Sequence, residues 1–503
     1  MSAVAEASSV LLARYPGSAE VFLVERALTL RFMGGFHAFP GGQVHPEDHD
    51  LAARLPVPRP SFHVAAVREL FEETGVLLAR GDDGSFPSSE PLDPLRQELL
   101  AEHLSFAAVL ARLGLHLEAQ DLIPAGTLVT PPFASARFDT EFYVANLPPG
   151  QEAEVWPGEL TTGRWTSAEA ALRDWYAGSL LLSPPTLALL ELLQGQPIAA
   201  LPRALAPVLK VLATGVIPRI WFSPGVLMIP LRSQVLPPAS HTNAYLVGSG
   251  PRYLLDPGAA DPAEHQRLFA VLDSLPLPAG QAPVDGVILS HHHPDHVGAA
   301  SACARRYAVP ILAHPLTARA LAGQLSIDRL LEDGSSVDLG QAPHGRGRWH
   351  LEVLHTPGHA PGHLAFYEPH YRLLFVADLV STLSSIIVAP PEGDLPAYLA
   401  SLRRLREYPA RLLLPAHGGV SSRPQFVLDK TLAHRQHREE QLRQALSTSP
   451  RTLADLVREI YQGLPVELRP LAELQTLGGL VKLHKEGVAQ PSGDGWVSRA
   501  EPG

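Results

Sequence analysis

Short apolar runs alternate with helical periodicity along most of the chain. Ser9–Ala13 and Val21–Glu25 are strand-like, and YPGSAE between them is a turn signal, so a hairpin is predicted. AAVRELFEETGVLL reads as a helix seated by Val67, Leu70 and Phe71, with Val76 and Leu77 beyond. Gln194 to Pro218 is rich in Ala, Leu and Pro and marks a boundary, with LPRALAPVLKVLATG as one short helix. From Ile220 the pattern turns hairpin-like: WFSPGVLMIPL, then HTNAYLVGSGPRYLLDPG with strands around GSGP. DPAEHQRLFAVLDSL reads as a helix capped by Asp261, VDGVIL as a buried strand, and VGAASACARRY and ALAGQLSIDRLL as further helices. After about Val427, LDKTLAHRQHREEQLRQAL is a long amphipathic helix with i,i+4 pairs such as His434/Arg438. TLADLVREIY and LRPLAELQTLGGLVKLHKEGVA follow as helices, and QPSGDGWV as a glycine-containing hairpin. The whole is an α/β multi-domain pattern.

Composition narrows the class. A chain of 503 residues is too long for one core, and two to four domains are expected. Apolar content of 46% with 18% charged residues is globular, leaving no room for a long disordered tail. A net charge of −11 argues against wrapping a polyanion as a property of the whole chain. The single cysteine, Cys303, excludes an intramolecular disulfide framework and is expected in the core of a helix. MSAVAEASSVLLARYPG lacks a basic n-region with a long apolar h-region, and SLLLSPPTLALLELL is broken by Pro184 and Pro185. A cytoplasmic protein without membrane association is expected.

The chemistry concentrates in SHHHPDHVG, where a strand end offers His291, His293, Asp295 and His296 from one tight turn. Imidazole and carboxylate suit zinc or a similar divalent metal, and in extended backbone His291 and His293 point the same way. His359 in LEVLHTPGHAPGHL, Asp378 in LLFVADL and His417 in LLLPAHGG each end a strand-like run, and LLDPG places Asp256 beside the first ligands. This order, from about Ile217 to Ser422, resembles the metallo-β-lactamase superfamily, whose fold is an αββα sandwich. The resemblance implies that His291, His293 and His359 hold one metal and that Asp295, His296 and His417 hold another, with Asp378 bridging. Two Zn²⁺, or Fe or Mn, are the implied ions, with Asp295 in a catalytic role and Asp256 in support. His292, His355 and His363 fall outside that pattern and are expected to support or pack. A water between two such cations ionises near neutral pH, since metal binding lowers its pKa to about 7.

In the first helix Glu69, Glu72 and Glu73 share one face, either a solvated acidic surface or a site for a hard cation. PGG followed by REL-F-EETG resembles the Nudix box of pyrophosphohydrolases, an α/β/α sandwich family. Arg68, Glu69, Glu72, Glu73 and Gly75 match its helical half. The resemblance makes Glu72 and Glu73 the principal ligands of Mg²⁺ (or Mn²⁺), Glu69 a ligand or base, and Arg68 their support. The acidic residue between the glycines and the helix is Asp48 or Glu47, and an insertion including LPVPRPS, expected as a surface loop, separates it from Arg68. With FMGGFHAFPGG, RFDTEFY, GELTTGRW and LLLSPPT, this resembles an insertion-bearing subgroup with coenzyme A diphosphatases among its members. Glu159 is a further candidate carboxylate there.

The tail resembles a winged helix, so the expected domains are 1–193 Nudix-like, 194–218 linker, 219–425 lactamase-like and 426–503 winged-helix-like. Arg451 to Gly503 carries six Lys/Arg against seven Asp/Glu, not the basic surface that phosphate binding demands. Three readings follow. One is a metal-dependent hydrolase of a small ester or thioester, as in glyoxalase II, with a Nudix site for diphosphate-linked coenzyme A or nucleotide derivatives. Another is single-strand RNA cleavage by the lactamase-like domain with its winged-helix tail. The third has the Nudix half as a non-catalytic binding module. The tail's alternative role is domain packing or oligomer formation, and no substrate-binding residue is assigned.

Overall fold

The computed structural model describes residues 4–53, 55–131, 134, 136–213, 219–278, 280–343, 345 and 347–499; the end of the expected linker, 214–218, lies outside them. The chain divides into two compact units, one running to Pro224 and the other from Gly225.

In the first unit, Ala5–Ala13 runs parallel to Phe138–Asn146 and antiparallel to Glu20–Arg26, with Ala13 opposite Val21. Glu20–Arg26 pairs with Leu160–Ser167, Phe138–Asn146 with Ile123–Val129, and Gly41–Gln43 with Ala5–Ala13. Strand alternation splits the apolar residues cleanly. Val10, Leu12, Phe22 and Val24 face Val67, Leu70 and Phe71 of the helix Pro60–Thr74. Leu11, Ala13, Val21 and Leu23 face the helices Ala168–Tyr176, Pro184–Leu192 and Leu201–Leu212. This is an α/β/α sandwich.

Two boundaries differ from expectation. The helix predicted to run through Leu78 stops at Thr74, because Gly75 turns left-handed (φ 75°) and its N–H caps Phe71. The buried Val76–Leu78 stretch continues as irregular chain, with the Leu77 N–H donating to Gln151 Oε1 at 2.9 Å. At the other end, Pro60 and Ser61 of LPVPRPS form the first turn of that helix instead of loop, Pro60 supplying the fixed φ that a helix start accepts.

In the second unit one sheet has the order Arg329–Leu330, Ile311–Ala313, Gly286–Ile288, Tyr253–Leu255, His241–Val247, Val226–Arg232. The other runs Ser336–Gln341, Arg348–His355, Leu364–Glu368, Leu373–Ala377, Leu412–Pro415. They meet where Tyr245 packs edge-on against Phe375 at 5.4 Å and its hydroxyl donates to the Pro415 carbonyl at 2.8 Å. Helices Pro262–Asp273, capped by Asp261, and Ala300–Tyr307, which buries Cys303, lie on the first sheet. Leu395–Arg406 and Pro424–Ala445 cover the second, through Tyr398, Leu402, Leu405 and Leu428. The result is the four-layer αββα sandwich.

ALAGQLSIDRLL is not a helix. Only its first residue is helical, closing the helix Pro315–Ala320; Gly323 (φ 81°) turns the chain, and Arg329–Leu330 joins the sheet edge parallel to Ile311–Ala313. The Asp328 carboxylate, accepting from the Ile311 N–H at 2.8 Å, fixes that pairing.

The tail comprises the helices Pro424–Ala445, Leu453–Ile460 and Arg469–Lys485, and the hairpin Ala489–Ser492/Gly495–Ser498 around Leu442, Leu456, Leu480 and Leu483. Arg438 does not pair with His434 but reaches Gln441 Oε1 and the Ile460 carbonyl. The i,i+4 ion pair on this helix is Glu439–Arg443, at 2.7 Å. Among the described residues no helix is long and apolar enough to cross a membrane.

Candidate metal centres

Strand ends of both sheets of the second unit deliver their polar side chains to one place. Ligand atoms of His291, His293 and His359 lie within 4.8 Å of one another, and so do those of Asp295, His296, Asp378 and His417. Asp378 stands between the groups. Its Oδ2 is 3.5 Å from His359 Nε2, while Oδ1 is 3.4 Å from His296 Nε2 and 3.2 Å from His417 Nε2. Asp295 Oδ2 completes the second group, 3.3 Å from His417 Nε2. All seven sequence-predicted residues therefore converge.

The outer hydrogen bonds decide which ring nitrogens face inward. His359 Nδ1–H donates to the Ile387 carbonyl at 2.8 Å, leaving Nε2 bare. Ser290 Oγ–H donates to Asp256 at 2.6 Å, so its oxygen accepts from His291 Nδ1–H at 2.9 Å. His293 Nε2–H donates to the Glu392 carboxylate at 3.3 Å, which bares its Nδ1. That Nδ1 lies 3.0 Å from His291 Nε2 and 2.9 Å from His359 Nε2. Three bare lone pairs at this separation repel unless a cation sits among them, and zinc–nitrogen bonds of about 2.0–2.1 Å match the span.

In the second group Asp256 accepts His296 Nδ1–H at 2.9 Å and the His241 carbonyl accepts His417 Nδ1–H at 3.1 Å. The inward atoms His296 Nε2 and Asp378 Oδ1 are buried without a hydrogen-bond partner, so the donor set fits a metal. Electrostatics separates the two groups. Burial lowers His291, lowers His293 and takes His359 down to about 4, giving the neutral imidazoles that metals bind. Burial also opposes charge on His296 and His417, yet the aspartates prevail. Asp378, Asp295 and Asp256 raise His296 well above its usual value, and Asp378 and Asp295 bring His417 to about 10. Two imidazoliums thus face the carboxylates of Asp295 and Asp378, with Asp256 holding His296 from outside, and one divalent cation replacing the two inward protons leaves the charge unchanged.

The backbone is strained where it aims these groups. Asp256 (φ 47°) and Ala377 (φ 40°), which precedes Asp378, are left-handed without being glycine. His363 supports Asp378 as expected: its Nδ1 pairs with Thr356 Oγ1 at 2.9 Å and its Nε2 accepts the Asp378 N–H at 3.2 Å. His355 stacks on His314 at 4.2 Å, and His292 reaches Glu392 at 3.1 Å. Glu392 was not foreseen. It sits in APPEGD, in no ligand spacing, and only the fold brings it to His293.

In the first unit the helix Pro60–Thr74 turns its acidic face toward Gly41–Gln43. The Gly41 N–H donates to Glu73 at 2.7 Å; a Cβ on Gly41 would strike the Ser8 backbone carbonyl, and one on Gly42 would meet the Glu69 carboxylate. Arg68 bonds both oxygens of Asp48 at 2.9 Å and reaches Glu69 at 2.9 Å and Glu72 at 3.3 Å. Asp48 thereby orients Arg68, and Glu47 is not part of this network. Burial raises Glu72, brings Glu69 to about 7 and brings Glu73 to about 8, the neighbouring Glu69 charge adding to the last. The exposed Glu159 acts on Glu73 from further off. Three half-buried carboxylates resisting ionisation are what a hard cation stabilises.

Family profiles match in the same order. "NUDT19 Nudix domain" covers residues 47–193, "Metallo-beta-lactamase superfamily" 237–417 and "Beta-lactamase associated winged helix domain" 452–496. The chain is similar to "Putative nudix hydrolase 7" of Caenorhabditis elegans, 28% identical over 36% of this chain and 57% of that protein. It is similar to "Beta-lactamase-like protein 2 homolog" of Drosophila melanogaster, 27% identical over 49% of this chain and 83% of that one. It also matches "Atrochrysone carboxyl ACP thioesterase" of Emericella nidulans, 27% identical over 46% of this chain and 70% of that one.

Two predictions follow from the charges. Loading the second unit at pH 7 should release about two protons, from His296 and His417, and almost none from the three-histidine group. Calorimetric titration in buffers of different ionisation enthalpy measures this, and uptake with no proton release would contradict the assignment. In the first unit, carboxyls with raised folded pKa values stabilise fully below their unfolded value of 4.5 and lose that contribution as pH rises through about 7 and 8. Glu73→Gln should therefore gain in Tm over the parent, without cation, as pH rises from 5 to 8, and Mg²⁺ should erase the gain. A pH-independent difference would count against it.

Proposed function

We propose that this chain cleaves a thioester or ester of a small molecule at its His/Asp centre. It is a metal-dependent hydrolase in which a Nudix domain, a metallo-β-lactamase domain and a winged helix follow one another. The observation that carries the reading is the pair of ligand groups with one aspartate between them. A relative named as a thioesterase supports the choice of bond.

His291, His293 and His359 would hold one ion and Asp295, His296 and His417 another, with Asp378 between them; Zn²⁺, Fe or Mn bound there would acidify a water to a pKa of about 7 and offer a counter-charge for an oxyanion. Asp295 is the most exposed carboxylate of the set and accepts the proton of the attacking water. The new C–O bond forms at the acyl carbon, the C–S bond breaks, and the leaving thiolate takes the proton back from Asp295. His363 and Asp256 keep Asp378 and His296 in place during the exchange.

The Nudix site has the carboxylates for a second activity. Glu72 and Glu73 would hold Mg²⁺ or Mn²⁺, Glu69 would serve as a ligand or base, and a diphosphate-linked coenzyme A or nucleotide derivative would be the substrate class. The Gly41/Gly42 cradle, close against Glu69 and Glu73, favours a working site over a binding module. In the tail, Arg451, Arg458, Lys482 and Lys485 each face an acidic partner, which favours a small substrate over RNA.

Assays against acyl-coenzyme A, lactoyl-glutathione, nucleoside diphosphate derivatives and single-stranded RNA test the reading. His293→Ala should lower thioester hydrolysis by at least about a hundredfold and spare the Mg²⁺-dependent reaction, and Glu72→Gln with Glu73→Gln should do the reverse. RNA cleavage without thioester turnover would overturn the proposal.

A further inference from the structure

The tail grips a segment of the lactamase domain that touches two of the three histidines of the first ligand group. The Arg435 guanidinium, only 8% exposed and stacked over Tyr398, donates through Nη2 to the Ile386 carbonyl. Gln475 Nε2, from the helix Arg469–Lys485, donates to the same carbonyl at 2.5 Å, and its Oε1 accepts from Arg435 Nη1 at 2.8 Å. The next carbonyl, Ile387, accepts His359 Nδ1–H. One residue further, the tail helix comes so close to the Val388 carbonyl that any side chain at Gly478 would overlap it. Glu392 in the same segment holds His293, and Lys485 Nζ reaches Asp394 at 2.8 Å, whose N–H donates to the carbonyl of Gly358, next to His359.

We infer that the winged-helix tail is a positioning element of the metal centre: through Arg435, Gln475 and Gly478 it fixes the Ile386–Val388 segment and thereby the His359 imidazole. The inference rests on the metal reading above and adds a role for the tail that needs no nucleic acid. Both donors converge on one carbonyl, so moving the helix moves the segment. His359 Nδ1–H would then lose its acceptor, and the ring would be free to turn or change tautomer.

The test uses the full chain in a Glu72→Gln/Glu73→Gln background, so that added Co²⁺ reports the His/Asp centre. Arg435→Met, Gln475→Met and Gly478→Ala are titrated with Co²⁺ and followed by the visible spectrum of the bound ion, with circular dichroism confirming the fold. Affinity should fall about 10–100-fold with a changed spectrum, Arg435→Lys should recover part of it, and Arg458→Gln, on the tail's exposed surface, should match the parent. Gly478→Ala and Gln475→Met leave the buried guanidinium in place, so the inference stays testable should Arg435→Met not fold. Folded variants with parental affinity and spectrum would overturn the positioning role. A parent chain that takes up no Co²⁺ would overturn the metal reading itself.

Discussion

Polar atoms aimed inward without partners are the constraint on which the second unit depends. Three bare imidazole nitrogens meet at one point, and beside it two imidazoles meet two carboxylates. Leaving such groups unsatisfied in a buried site costs about 1–3 kcal/mol each. The fold tolerates them because every inward imidazole nitrogen is matched by an outward hydrogen bond on the same ring that forbids it to turn away. Asp256, Ile387, His241 and Glu392 are therefore as much part of the centre as the groups they hold. Strain at Asp256 and Ala377 belongs to the same arrangement, since an unstrained backbone there would send Asp378 elsewhere.

The two centres meet the same physical problem with different atoms. In the first unit, carboxylates on one helix face are kept from ionising by burial and mutual repulsion, and a single guanidinium ties their outer oxygens. In the second, neutral nitrogens dominate one group and an ion-paired network the other. Oxygen donors alone favour hard cations such as Mg²⁺, whereas imidazole suits zinc and iron. Donor chemistry and protonation thus set the two sites apart, without needing a difference in their size.

Much of this is legible in the sequence because the ligands sit at strand ends, where a period of two and a terminal Gly or Pro announce a side chain delivered to a rim. The residues marked in SHHHPDHVG, PGH, VAD and PAHG come together for that reason. The carboxylate face of the first helix is legible from its spacing, but its end is not: GVLL continues the apolar pattern, and only the left-handed Gly75 stops it. ALAGQLSIDRLL is misread as helix because edge pairing with Ile311–Ala313, held by Asp328, is a tertiary effect that local propensity does not carry. Glu392, Arg435 and Gln475 are illegible for a further reason. They touch no ligand spacing: Arg435 and Gln475 act on a backbone carbonyl, which leaves no mark in composition, and Glu392 meets its histidines only through the fold.

The paired glycines of LQTLGGLV show how such a hidden contact can still leave a trace. Glycine inside a helix costs about 1 kcal/mol relative to alanine, so two in succession need a return. At Gly479 the neighbour is Leu442 of the tail's own core, which ordinary packing explains. At Gly478 the neighbour is the Val388 carbonyl, outside the tail and next to the residue that orients His359. A winged helix built to read phosphates would keep its cations free and have no use for that approach. Here Lys482 is spent on Glu439 and Glu486, Lys485 reaches Asp394, and the closest surface of the helix is the one without side chains. The tail's specificity lies in how near it can come to the sandwich, and that distance is written in a missing Cβ, not in charge.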